Sequence, residues 1–109
     1  NMKHDLTFST NWNKKLDCDY FTTLRLSGRM NVGDLVEVTA KGYNFLAEVV
    51  EKKQITLDMI DNFIAFVDTG YNAEETQKII RTMYKDITDW NVRPVYRYLL
   101  GKKKHGKKT

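Results

Sequence analysis

The sequence predicts a small α+β domain in which a curled, mostly antiparallel sheet or barrel carries helices at its flank. Segments rich in aromatic and β-branched residues recur along the 109 residues, and turn residues separate them. Two helical segments interrupt this succession late in the chain. The resulting order is strand, helix, strand, hairpin, two helices, strand. Its connections are too short for a parallel sheet made of strand–helix–strand units.

The opening third predicts two strands with a helix between them. Residues 6–8 are typical of a short strand, and residues 11–17 of a helix that Ser9 or Thr10 can cap. Residues 20–26 are aromatic and β-branched, so we expect a second strand there.

The middle of the chain predicts a β-hairpin. Residues 35–40 and residues 45–52 both have strand-like composition, and the loop at 41–44 contains a glycine. A Gly33-Asp34 turn leads into the first of these strands. We therefore expect the two segments to pair directly.

Two helices and a closing strand complete the prediction. Thr56 can cap the first helix, and Gly70 can end it. Its apolar residues follow helical spacing, and we expect them to be buried: Met59, Ile60, Phe63, Ile64 and Val67. Asn72 can cap the second helix. Residues 92–100 predict the last strand, with Pro94 at its start or on an edge.

Length and composition indicate one domain over residues 2–101, in the cytoplasm. No apolar run approaches the ~18 residues that a membrane span needs, and no apolar leader opens the chain. The single cysteine, Cys18, excludes an internal disulfide and fits a reducing compartment. His4 and His105 lie near opposite ends and show no zinc-binding spacing. We therefore expect no metal and no cofactor.

The positive charge is concentrated at the end of the chain. The net charge is +4, but five of the 18 basic residues lie beyond residue 101, which leaves 13 basic and 14 acidic side chains before it. Residues 102–109 predict a disordered basic tail. Its lysines can bind the phosphates of RNA, or can simply keep the chain soluble: Lys102, Lys103, Lys104, Lys107 and Lys108.

Three stretches carry a more specific signal. They are an eight-residue segment, a turn and a last strand: Cys18-Asp19-Tyr20-Phe21-Thr22-Thr23-Leu24-Arg25, Val32-Gly33-Asp34 and Pro94-Val95-Tyr96-Arg97-Tyr98. In order and spacing they resemble the ASCH domain family of the PUA-like superfamily, and its small acetylcytidine amidohydrolases in particular. The family signature, Gly-x-Lys-Thr-x-Thr-x-Arg, aligns with the first stretch without gaps. The resemblance implies a PUA-like curled barrel with flanking helices and a cleft for a nucleotide or RNA.

The resemblance also implies a set of catalytic residues, from which this chain departs. Cys18 stands in place of the signature glycine, and Tyr20 in place of the lysine. The family's amidohydrolases use that lysine, the second threonine, which is Thr23 here, and a glutamate whose nearest match is Asp68. Thr23 would be the nucleophile, with Asp68 or Tyr20 assisting. A phenol with a pKa of ~10 is a poor base at neutral pH, so loss of the lysine favours binding over hydrolysis.

Candidate ligand-binding residues come from the same strand and from the hairpin. Arg25 can clamp a phosphate or carboxylate with two parallel hydrogen bonds. Tyr20 and Tyr43 can offer stacking surfaces to a base. The alternative for Arg25 is an ordinary ion pair with Asp19 or Asp34.

Three functions therefore stay open. The first is a module that binds RNA, a nucleotide or a modified nucleoside in a cleft beside the barrel. The second is an amidohydrolase that acts on acetylated cytidine, and the third is a protein-interaction module. For the proposed catalytic residues the alternatives are structural: Thr23 is a common strand residue, and Asp68 can be a solvated loop acid.

Overall fold

The structure, a computed structural model, describes residues 2–103. Five strands and two α-helices follow one another in the predicted order: β1 Lys3–Phe8, β2 Tyr20–Arg25, β3 Leu35–Ala40, β4 Tyr43–Ile55, α1 Asn62–Thr69, α2 Ala73–Met83 and β5 Val95–Lys102. Two short 3₁₀ helices accompany them, at Trp12–Asp17 before β2 and at Leu57–Met59 before α1.

The five strands form one sheet in the order β1-β3-β4-β5-β2. All neighbours are antiparallel apart from β1 and β3, which run parallel. The predicted hairpin is confirmed as β3 and β4, joined by Lys41 and by Gly42, whose φ of 82° suits a tight turn. β4 extends beyond its predicted end to Ile55 and pairs with β5 from Ala47 onward, with an irregularity between Val49 and Glu51.

The sheet is strongly curled. β1 and β2 lie at its opposite edges, so in a flat sheet they would be four strand spacings apart, roughly 19 Å. Nevertheless the rings of Phe8 in β1 and Phe21 in β2 lie edge to face with their centroids 6.1 Å apart. The described strand pairs do not join β1 to β2, so the closed barrel expected from the sequence is not confirmed. The sheet is an open, curled one.

Two hydrophobic clusters stabilise this arrangement. The first fills the inside of the curled sheet and includes Phe21, Val38, Val49 and Leu100. The second lies where α1 and α2 cover the sheet, and its buried members are Ile55, Leu57, Ile60, Ala65, Ile80 and Val95. The helices are therefore held against one side of the sheet by a core of their own.

The first helix differs from the prediction in its start and in its buried face. It begins at Asn62 with Asp61 as its cap, because Ile60 and Asp61 have extended backbones that interrupt the helical spacing after Met59. The predicted buried stripe is consequently wrong in part, since Phe63 is 75% exposed and Met59 and Val67 are also exposed. The end of α1 at Gly70 is confirmed.

The basic tail was expected to begin at residue 102, and this boundary is wrong. Lys102 belongs to β5, and the backbone N–H of Lys103 donates to the carbonyl of Leu46 at 2.9 Å. Lys104, Lys107 and Lys108 lie outside the described residues. None of the helices in residues 2–103 is long and apolar enough to cross a bilayer.

Candidate functional site

A half-open cavity of about 120 Å³ lies where the end of β1 and the end of β2 meet α1 and α2. Its lining includes three charged side chains and one strand threonine: Lys15, Arg25, Asp68 and Thr23. Three of these are residues that the sequence nominates, and Lys15 is new. We call this space the Asp68 cavity. Phe8, Trp12 and Tyr84 supply its aromatic walls.

The most unusual feature of the Asp68 cavity is a buried ion pair. The Lys15 Nζ lies 2.5 Å from Asp68 Oδ1, and each side chain is only 5% exposed. The second carboxylate oxygen, Asp68 Oδ2, is buried and has no hydrogen-bond partner among residues 2–103. Most buried polar atoms in native proteins are paired. Asp68 Oδ2 is therefore an acceptor that no described protein group satisfies, on a residue that lines the Asp68 cavity.

Burial disfavours both charges of this pair. It lowers the pKa of Lys15, although the neighbouring Asp68 carboxylate opposes the change. It raises the pKa of Asp68, against the opposing effects of Lys15 and then Arg25. The two groups are thus shifted toward the neutral amine and the neutral acid, a combination that is typical of functional sites.

A strained turn brings Lys15 into the Asp68 cavity. Asn13 and Lys14 both adopt left-handed backbone conformations, with φ of 57° and 54°. Such conformations are costly for residues other than glycine. The Asn13 amide donates to the carbonyl of Phe66 at 3.3 Å, near the end of α1. This contact holds the 3₁₀ helix Trp12–Asp17 against the helix that carries Asp68.

Tyr43 does not line the Asp68 cavity, but it anchors the same segment from the other side. Its hydroxyl donates to Asp17 and accepts from the Asn11 amide at 3.1 Å. The Asn11 side-chain oxygen in turn accepts from the N–H of Leu16 at 2.9 Å. These contacts hold the segment that carries Lys15, and the predicted stacking role of Tyr43 stays a prediction.

Thr23 and Arg25 form the β2 side of the Asp68 cavity. The Nε of Arg25 donates to the Thr23 hydroxyl oxygen at 2.9 Å, so the hydroxyl hydrogen is available to a ligand. The Arg25 guanidinium lies over the ring of Phe8, 4.6 Å from its centroid. Within residues 2–103 no carboxylate lies within ion-pair distance of Arg25, so the predicted ion pair with Asp19 or Asp34 is wrong.

Two threonines join α1 to α2 by a hydrogen bond beside the Asp68 cavity. The hydroxyls of Thr69 in α1 and Thr76 in α2 are 2.8 Å apart, and Thr69 also donates to the carbonyl of Ala65. Both residues are buried and line the Asp68 cavity. Asp68 is therefore a buried residue in the last turn of α1, and its interpretation as a solvated loop acid is wrong.

The structure separates the remaining predicted residues from the Asp68 cavity. Tyr20 is 64% exposed, and its ring lies against Gly101. The ammonium of Lys102 lies over the ring of Phe45, 4.7 Å from its centroid. Lys103 pairs with Glu48 at 3.2 Å. These residues gather at the start of β2, whereas Thr23 and Arg25 lie toward its end.

Sequence reasoning missed Lys15 because a lysine in the polar run Trp12-Asn13-Lys14-Lys15 has the appearance of a solvated residue. No periodic pattern marks it for burial. A partial signal came from Trp12, a large aromatic in the same segment, which does line the Asp68 cavity. Among residues 2–103 no three histidine, cysteine or acidic side chains are grouped as metal ligands would be.

The arrangement can therefore recognise a small group with mixed hydrogen-bonding character. Asp68 accepts, while Thr23, Arg25 and Lys15 donate, and aromatic rings flank these polar atoms. Partial burial lowers the pKa of Arg25, yet an arginine of this kind stays charged near neutrality. The Asp68 cavity thus combines one fixed cation with a tunable lysine–aspartate pair.

Comparison with known proteins identifies the fold alone. No family model and no curated protein matches the chain. The crystal structure of hypothetical protein PH0355 is similar, with a TM-score of 0.66 over 94% of this chain and 100% of that one. Because the sequence identity is only 12%, this similarity extends to the α+β fold and no further.

Proposed function

We propose that the chain is an ASCH-type domain whose Asp68 cavity binds the base of a nucleotide, a modified nucleoside or an RNA residue. The observation that carries the proposal is Asp68, which lines the same cavity as Thr23 and Arg25 and whose buried Oδ2 has no hydrogen-bond partner among the described residues. The proposal requires a curled sheet of the PUA-like kind with a cleft at its edge, and an open, curled sheet is compatible with that requirement. In this view the cleft lies at the edge of that sheet.

The edges of nucleobases suit these polar groups. A base presents N–H donors beside carbonyl or ring-nitrogen acceptors, and the Asp68 cavity presents an acceptor beside several donors. An exocyclic amine or ring N–H would donate to Asp68, while Thr23 or Arg25 would donate to a neighbouring acceptor. Unpaired buried polar atoms cost about 1–3 kcal/mol each, so a ligand that satisfies Asp68 gains affinity and specificity together.

Size and shape favour one flat ring over a larger ligand. The volume of about 120 Å³ is well below that of typical pockets for drug-sized molecules, which is about 300–1,000 Å³. Trp12 and Tyr84 are half-buried at the rim, where a ring can stack on them. Stacking of a base on an aromatic side chain contributes about 1–3 kcal/mol.

The test is calorimetric titration of the chain with cytidine, acetylcytidine, uridine, adenosine and guanosine. We expect at least one nucleoside to bind, and Asp68→Asn to weaken that nucleoside's binding at least tenfold, because its amide has one acceptor oxygen where the carboxyl group has two. Thr23→Val keeps the side-chain shape and removes one hydrogen bond, so we expect a smaller loss.

Asp58→Asn is the matched control, since Asp58 is exposed in the 3₁₀ helix before α1 and does not line the Asp68 cavity. Thermal unfolding of each variant separates loss of binding from loss of fold. Unchanged nucleoside affinity in a folded Asp68→Asn variant would contradict the proposal. So would the absence of binding by every nucleoside at millimolar concentration.

A second function, amidohydrolysis of acetylated cytidine, is favoured by Lys15. The signature lysine is replaced by Tyr20, but Lys15 brings an amine into the same cavity as Thr23. Burial lowers the pKa of Lys15, which favours the neutral amine that a base must be. The Thr23 hydroxyl would then attack the acetyl carbon and give its proton to Lys15.

The remaining steps balance without a cofactor. Lys15 would return the proton to the departing nitrogen as the carbon–nitrogen bond breaks, which leaves an acetyl ester on Thr23. Water would hydrolyse this ester to acetate and restore the hydroxyl. The overall change is acetylcytidine and water to cytidine and acetate.

Turnover of acetylcytidine by the purified chain tests this second function. We expect Thr23→Val and Lys15→Met each to abolish release of acetate, and Tyr20→Phe to leave it unchanged, because Tyr20 lies outside the Asp68 cavity. Acetylcytidine that binds the wild-type chain but is never cleaved would reject hydrolysis and leave the binding function standing.

A further inference from the structure

A second cavity adjoins the Asp68 cavity. Its volume is about 320 Å³, and it shares two lining residues, Arg25 and Tyr84, with its neighbour. The other lining residues belong to β1 and to the segment that follows β2: Leu6, Leu26, Ser27, Arg29 and Met30. The two cavities therefore lie side by side and meet at Arg25 and Tyr84.

The second cavity is lined by two arginines. Arg25 and Arg29 both line it, and within residues 2–103 no acidic side chain does. In the part of the chain that the structure describes, neither arginine has a carboxylate within ion-pair distance. Among the described residues, the Arg29 guanidinium makes one hydrogen bond, of 3.4 Å, to the backbone carbonyl of Asp5. Such a cavity attracts an anion.

Arg25 lines both cavities, and two contacts fix the orientation of its guanidinium. Its Nε donates to Thr23, and its guanidinium lies on the Phe8 ring, so its plane is held in one direction. That bond uses only one of its three nitrogens, and the terminal two carry four further N–H donors. A guanidinium fixed in this way is suited to a phosphate, which it can grip with two parallel hydrogen bonds.

We propose that the second cavity holds a phosphate group covalently attached to the ligand in the Asp68 cavity. The preferred ligand is then a nucleotide, or a phosphate-bearing residue of RNA, and a neutral nucleoside binds less well. This inference rests on the proposed function, because it assumes a base beside Asp68. Arg25 and Arg29 share the phosphate, and the Ser27 hydroxyl is a third donor on the same wall.

The test compares cytidine and acetylcytidine with their 5′- and 3′-monophosphates by calorimetric titration at low salt. We expect one monophosphate to bind about tenfold more tightly than its nucleoside, or better, through charge-assisted hydrogen bonds. Arg29→Gln should remove this gain and leave the nucleoside affinity as it was, because Arg29 does not line the Asp68 cavity.

Lys53→Gln is the charge-matched control, since Lys53 is an exposed residue of β4 that lines neither cavity. It should keep the full phosphate gain. Equal affinities for nucleoside and monophosphates, or an equal loss of gain in Lys53→Gln and Arg29→Gln, would overturn the phosphate site while base binding stands. Absence of binding by nucleosides and monophosphates alike would overturn both proposals.

Discussion

Lys15 and Asp68 are buried in a setting that opposes their charges. Removing an ion pair from water costs several kcal/mol per ion in real proteins, and the attraction between the partners repays this only when every remaining polar atom is satisfied. Asp68 Oδ2 is not satisfied. The backbone that delivers Lys15 is strained as well, at Asn13 and Lys14. We therefore interpret the pair as a functional feature that reduces the stability of the fold.

This interpretation predicts how the pair responds to substitution. Replacing both residues with apolar ones of similar size, as in Lys15→Met with Asp68→Leu, should leave stability unchanged or raise it by about 1–4 kcal/mol. Either substitution alone should lower stability by about 3–5 kcal/mol, because an unpaired buried charge remains. Chemical denaturation of the three variants measures these values, and a double variant less stable than both single ones would contradict the interpretation.

The pH dependence of stability follows from the same pair. Burial raises the pKa of Asp68, so the folded chain holds this proton at pH values where the unfolded chain has released it. The free energy of unfolding should therefore fall as pH rises from the ordinary aspartate pKa, ~3.9, through the pKa of Asp68. The double variant should lose this contribution when both chains are denatured across that range.

At the scale of elements, the 3₁₀ helix Trp12–Asp17 and the end of α1 depend on each other. A side chain added at Gly70 would meet the Asn13 amide oxygen at 3.1 Å. Asn13 also donates to the carbonyl of Phe66, which already accepts from the N–H of Gly70. Glycine at the helix end thus permits both the left-handed turn of α1 and the close approach of the segment that carries Lys15.

Gly70→Ala tests this dependence, and Gly42→Ala is its matched control. Both glycines have φ of 82°, but only Gly70 has a neighbour within 4 Å of the added carbon. Gly42→Ala should cost about 1 kcal/mol of stability, and Gly70→Ala about 2 kcal/mol, because Asn13 must also move. Only Gly70→Ala should weaken ligand binding in the Asp68 cavity. Equal losses of stability in thermal unfolding, with binding intact, would argue against the coupling.

At the scale of the whole molecule, the curl of the sheet brings its two edges together around one aromatic cluster. Phe21 of β2 contacts Phe8 of β1 at 6.1 Å and Phe45 of β4 at 5.9 Å, measured between ring centroids. The same curl places Thr23 and Arg25 opposite the end of β1, where the Asp68 cavity opens. The site therefore depends on a contact between strands that share no hydrogen bonds.

Phe21→Ala should cost about 3–5 kcal/mol, because it leaves a void where the two sheet edges meet. Phe63→Ala removes the same side chain from a position that is 75% exposed, so its effect should stay within about 0.5 kcal/mol. Urea denaturation of the two variants makes the comparison. A small effect of Phe21→Ala would mean that the curl is maintained by the strand pairing alone.

The sequence by itself determined the succession of elements, because local chemistry specifies each of them. Alternating β-branched and aromatic residues predict the strands, and the hairpin around Gly42 follows from its turn residue. Asn72 caps α2 as predicted, its side chain accepting from the N–H of Glu75 at 2.9 Å. The resemblance to the ASCH signature further nominated Thr23, Arg25 and Asp68, which the fold brings to one cavity.

Only the tertiary structure decided which of these residues lie in one cavity and which unpredicted residues line it with them. Lys15 is buried because a strained turn and the end of α1 hold it there, and neither contact is visible in a polar run of sequence. Tyr20 is excluded because β2 carries it toward Gly101, away from the Asp68 cavity. The extended backbone at Ile60 likewise exposes Phe63 against its helical pattern. Burial of a charge depends on contacts between segments distant in the chain, and local periodicity does not encode these contacts.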